Sequence, residues 1–232
     1  MAQVFENTAG IGPSAGTCLD KATATKFMQD LAKDYRNAKS EFQSDKVAEN
    51  QDKQDGKLAK ALLSELSSGK LHVQNEAQFR QTLHQTLHNA HRDLSLESQY
   101  ERGTTKRANA ELAVMQSLSQ KFGIKLPDLK LTGSVQDNSL APGRAIDADL
   151  ANARAELTGD IQARTYDQQD IDAAKNLTSQ GQQFLDIPGI QAMFSALQTE
   201  CRNSRQDIHD EHLYQTDSQV RVNLDTLAGG KI

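Results

Sequence analysis

The sequence predicts an all-α protein, an elongated helical bundle or hairpin of about five helices. Three observations carry that expectation. Apolar residues recur at three- and four-residue steps along most of the chain, the spacing that keeps one helix face turned inward. Of the 232 residues only 37% are hydrophobic and 5% aromatic, with no Trp, and mean hydropathy is -0.66, so each helix offers a narrow stripe rather than a fully apolar surface. Runs of β-branched or alternating residues that would read as strands are almost lacking.

Residues 1–16, with Gly10, Gly12, Pro13 and Gly16, read as a flexible leader. An N-terminal helical part then spans 17–123. Thr17 followed by Asp20 has the spacing of a capping box and opens a stripe of Phe27, Leu31, Tyr35, Ala38 and Phe42. The polar stretch Gln43 to Lys57 reads as a solvated helix extension or a linker ending near Gly56, before a short helix on Leu58, Leu62 and Leu66. Asn75 with Gln78 repeats the capping signature ahead of Phe79, Leu83, Leu87, Ala90 and Leu94. Gly103 predicts a kink or break before the stripe resumes at Ala108, Leu112 and Met115.

The period is lost over 124–145, an irregular connection containing Pro127, Gly133 and Gly143. A C-terminal helical part, 146–232, follows. Ile146, Leu150, Ala153, Leu157 and Ile161 give its first stripe, and Gly181 a stop. Asp186 reads as an N-cap ahead of Pro188, and a long terminal helix begins there. That helix carries the most regular pattern in the chain, Ile190, Phe194, Leu197, Cys201, Ser204 and Ile208, stepping by four and three as a seam for a partner helix. Leu213, Val220, Leu224 and Leu227 form a second stripe, read as exposed. No repeat at a fixed period, as in a solenoid, is evident.

The candidates for chemistry are few. His84, His88 and His91 share a helix face, and the His84 and His88 pair has the spacing of a metal chelate; the di-iron Glu-x-x-His and zinc-protease His-Glu-x-x-His patterns are missing, so no metal or cofactor is expected. Cys18 stands where a helix begins, the position that activates a thiol nucleophile, and is the one catalytic candidate. Net charge of -5 argues against nucleic acid as a partner. No run of apolar residues is long enough to span a membrane and no cleavable signal is evident, so the expectation is a soluble protein, cytoplasmic or exported without a signal peptide.

The expected function is therefore non-enzymatic: a helical assembly or interaction subunit, such as a virion component or a protein exported by a bacterial secretion machine, binding a helical partner or copies of itself. Its expected contact residues are Ile190, Phe194, Leu197, Cys201, Ile208, Leu213, Val220, Leu224 and Leu227. The alternatives are a thiol-dependent enzyme or secreted effector using Cys18 and a helical metal-binding regulator using His84 and His88.

Overall fold

In the computed structural model, residues 19–131 and 144–229 are described, and all their regular structure is helical. Four long helices replace the five or so expected: α1 (Lys21–Ser67), α2 (Glu76–Phe122), α3 (Ala145–Gly181) and α4 (Ile190–Leu227), with a 3-10 turn at Gln182–Phe184. At 1.5 Å per residue, α1 and α2 are each about 70 Å long. The difference in number arises at glycines. Helix α1 runs unbroken through Gly56 and α2 through Gly103, because the roughly 1 kcal/mol cost of a helical glycine is outweighed by packing on both sides.

The caps follow local chemistry. Asp20 caps α1 by accepting from the backbone N–H of Thr23 at 2.7 Å. Asn75 caps α2, accepting from the Gln78 N–H and donating to its side chain. Gly123 ends α2 in the left-handed conformation, φ 60°. The expected N-cap at Asp186 falls instead on Gly189, φ 89°, since the chain turns once more through Ile187 before α4 begins. Residues 1–18, including Cys18 and the leader, and the glycines of 132–143 lie outside the described residues.

Two antiparallel hairpins, α1 with α2 and α3 with α4, pack so that α1 also lies against α3 and α2 against α4. The apolar core is split between the two ends of the bundle. At one end Phe27, Leu31, Met115, Leu118, Leu177, Phe184, Ile190 and Leu197 are buried together, with Phe27 and Phe184 stacked at 4.8 Å. At the other end Ala59, Leu62, Leu66, Phe79, Leu83, Ile146 and Leu224 are buried. The end of α2 lies in the first cluster and the start of α3 in the second. Residues 124–131, after α2, lie along the side, where Leu129 packs on the core and Arg36 Nη1 donates to the Asp128 carbonyl at 2.8 Å.

The seam at Ile190, Phe194 and Leu197 is therefore internal; these residues are 1%, 7% and 1% exposed, covered by the chain's own helices. Leu224, read as exposed, is buried in the second cluster and Val220 packs beside it, because α4 continues without a break to Leu227.

The two hairpins repeat one another. On α1, Asp34, Asn37, Glu41, Asp45, Asp52 and Asp55 recur on α3 as Asp149, Asn152, Glu156, Asp160, Asp167 and Asp170, each 115 positions later. On α2, Asn89, Asp93, Glu97, Tyr100 and Arg107 recur on α4 as Asn203, Asp207, Glu211, Tyr214 and Arg221, each 114 positions later. The two apolar clusters exchange under the same operation: Ala59, Leu62, Leu83 and Ile146 of one match Ala174, Leu177, Leu197 and Leu31 of the other. The expectation of no fixed-period repeat is right for a solenoid and misses this duplication, which relates one half of the bundle to the other by an approximate two-fold.

Candidate functional site

Between the apolar ends, the inward positions of all four helices carry acids. Heptad-like spacing puts Asp34, Glu41, Asp45, Asp52 and Asp55 on the face of α1 that farther out carries Phe27, Leu31 and Leu62, so they enter the interior. The stretch from Gln43 to Lys57 is thus neither linker nor solvated extension.

Two buried arginines organise this region. Arg107 of α2 is fully buried. Its Nη2 lies 2.9 Å from Glu41 Oε2 and 3.5 Å from Asp170 Oδ1, its Nη1 3.1 Å from Glu200 Oε1 and its Nε 3.7 Å from Asp34 Oδ2. The duplicated Arg221 of α4 meets the duplicated acids: Nη1 is 3.1 Å from Asp55 Oδ2, Nη2 3.0 Å from Glu156 Oε2 and Nε 3.4 Å from Asp149 Oδ2. Asn152 donates to both Asp55 and Glu156. Burial opposes the charge on each arginine, but the surrounding carboxylates overcome it and hold both guanidiniums well above their ordinary range. Beyond each arginine two carboxyls face one another, Asp34 with Glu111 and Asp149 with Asp225. Burial, reinforced by the neighbouring acid, pushes Glu111 far up and Asp225 to about 10, so the Asp149–Asp225 pair holds a proton at neutral pH.

Between the two arginine centres lie two chambers. The larger, about 600 Å³, is lined by Glu41, Asp45, Glu97, Asp167, Asp170, Glu200, Asp207 and Glu211 together with Tyr100, Asn203 and Ala163. The smaller, about 110 Å³, is lined largely by the counterparts: Asp52, Asp55, Asp93, Glu156, Asp160, Tyr214 and Asn89. Ala48, Glu97 and Glu211 line both, so the chambers adjoin there. Tyr214 donates to Asp93 in the smaller chamber, and its mate Tyr100 faces Asp207, the mate of Asp93, in the larger one. The symmetry is broken at several lining positions, among them Glu200, which stands where the other half has Thr86, and Asp217, which stands where it has Gly103.

The acids greatly exceed the cations that face them, and desolvation raises their pKa values accordingly. Burial puts Asp45, Asp160 and Asp167 at about 7, Asp52 and Asp207 at about 8, and Glu97 and Glu211 at about 10, with neighbouring acids adding to each shift. Asp160 and Glu211 face one another closely enough to share a hydrogen bond, whereas their two-fold mates Asp45, through Oδ2, and Glu97, through Oε2, are sealed from water with no hydrogen-bond partner among the described residues. Such oxygens are costly unless a donor or cation reaches them.

The positions singled out in the sequence lie elsewhere. His84, His88 and His91 are exposed on α2, away from the interior. Cys201 is half-buried beside the first apolar cluster, where burial raises its thiol pKa and makes it a poor nucleophile. Ile208 is half-buried, while Leu213 and Leu227 are exposed, at 44% and 51%. The interior acids escaped the sequence reading, although the signal was present as same-face Asp and Glu spacing recurring in both halves. No helix is long and apolar enough to cross a membrane among the described residues. No protein-family model, curated protein or solved structure matches this chain.

Proposed function

We propose that the chain is a non-enzymatic helical binding protein that takes up cationic ligand in the acidic interior of its bundle. The supporting observation is the excess of buried acids over cations in the chambers, with sealed carboxyl oxygens on Asp45 and Glu97 that have no partner among the described residues, in a region whose buried cations are Arg107 and Arg221. A folded chain keeps such groups at a cost to stability, and a bound cation offsets it directly. Melting curves at pH 8 and constant ionic strength, with a panel of metal and organic cations, test the reading. A ligand at 100 times its Kd adds about 2.7 kcal/mol, a rise of roughly 5–10 °C for a chain of this size. No rise beyond that given by a monovalent salt would refute it.

A second reading keeps the association expected from the sequence, as an assembly subunit. It draws support from Leu213 and Leu227, the members of the terminal stripe that are exposed. Light scattering tests it: Leu213→Asp with Leu227→Asp should convert any oligomer to monomer, and a wild-type monomer at all concentrations would remove it.

A further inference from the structure

The class of cation follows from how the acceptors are spaced. Among the described residues, the trio with ligand atoms mutually within 4.8 Å is Glu41, Asp170 and Glu200, and Arg107 already holds all three. The close cluster that would suit a bare metal ion is thus filled by a guanidinium. The remaining acceptors are strung along a lane rather than gathered at a point. They run from the large chamber through Glu97 and Glu211 into the small one. A volume of about 600 Å³ falls in the range of small-molecule sites and far exceeds that of a single ion.

One member of that trio has an oxygen to spare. Glu200, a residue lining the large chamber, is 6% exposed; Oε1 meets Arg107, and Oε2 is sealed from solvent with no hydrogen-bond partner among the described residues. Nothing in the duplicated half requires an acid here, since the matching position is Thr86. Ala48 and Ala163, two-fold mates, line the same chamber between the acids and leave room for methylene groups alongside the ion-pairing sites.

We infer that the lumen binds a linear aliphatic polyamine, with its ammonium groups on the carboxylates of the two chambers and its methylene segments against Ala48 and Ala163. This rests on the cation-binding reading above. The chemistry is that of the two arginines already in place, in which N–H donors on an alkyl stem each serve several carboxylates. Ammonium groups several bonds apart match acceptors laid out along an axis, which a single ion cannot bridge.

The test is titration calorimetry on the full chain at pH 8 and fixed ionic strength, with spermidine, putrescine, Mg²⁺, Ca²⁺ and Mn²⁺ as separate probes. The expected result is saturable spermidine binding at one per chain, about tenfold or more tighter than any of the metals. Glu97→Gln combined with Glu211→Gln should weaken spermidine about tenfold or more, while the exposed Asp172→Asn leaves it unchanged. The double variant removes desolvated acids and should melt no lower than the parent; if it does melt lower, Asp45→Asn with Asp160→Asn gives the same reading on affinity. Tighter binding of Ca²⁺ or Mn²⁺ than of spermidine overturns the polyamine assignment and leaves the cation reading standing. Parent-like spermidine affinity in both double variants overturns the placement, and no saturable binding by any probe overturns both.

Discussion

Replacing Arg107 with Gln removes the cation that neutralises one half of the interior while keeping much of its side-chain volume. Glu41, Asp170, Glu200 and Asp34 then face one another around an uncharged group. Breaking a buried ion pair by removing one partner costs about 3–5 kcal/mol, because the other charge is left without compensation. For a chain of this length that corresponds to a melting decrease of roughly 10 °C. The acids can relieve the loss by taking up protons, and burial already pushes Glu41 and Glu200 upward. The destabilisation should therefore depend on pH. Urea unfolding of parent and Arg107→Gln at pH 5 and pH 8 should show a loss at pH 5 of no more than about half that at pH 8. Arg221→Gln, the duplicated position, should behave the same way. A loss below about 1 kcal/mol at pH 8, or one independent of pH, would show that the arginine packs as an apolar stem and its charge matters little.

Stability without added cation should fall as pH rises. Asp45, Asp160 and Asp167 at about 7 and Asp52 and Asp207 at about 8 hold protons in the folded chain that an unfolded Asp, near 3.9, has already lost. Their contribution is complete below about pH 4 and is lost as pH passes through 7–8, so the urea midpoint at pH 5 should exceed that at pH 8.5; the reverse order would refute the assigned burial. Leu197→Asp should unfold the chain and Leu224→Asp should destabilise it by several kcal/mol, both being buried, whereas Leu213→Asp should melt with the parent; circular dichroism separates the three. Gly181→Ala should cost roughly 1–3 kcal/mol, since the added Cβ would lie 2.6 Å from Phe194 Cε1, and an unchanged melting curve would contradict the packing there. His84→Ala with His88→Ala should leave the melting temperature unaltered, because both side chains are exposed on α2.

The bundle was legible over most of its apolar burial, Leu224 excepted. Phe27, Leu31, Leu83, Met115 and Leu197 announced their helices, and the Asn75–Gln78 cap announced a boundary. Legibility stopped where the interior became polar. A rule that assigns Asp and Glu to solvent sends Asp45, Asp52 and Asp55 outward, and the same rule turns continuous helix into linker. It also hid the duplication, whose most regular matches are acids, an arginine and a tyrosine rather than core residues. Glycine compounded the error: Gly56 and Gly103 read as punctuation, although at Gly103 the missing side chain lets α4 approach so closely that a Cβ would lie 2.8 Å from Asn203 Nδ2.

The duplication has a further consequence. A pair of separate, identical hairpins must present every residue twice, so any gain at one position is imposed on its mate. Joining the hairpins in one chain lifts that obligation. Glu200 without an acid at Thr86, and a chamber of about 600 Å³ beside one of about 110 Å³, are what that freedom permits: a lopsided vessel built from a symmetric plan, with one compartment free to specialise while the other keeps the scaffold intact.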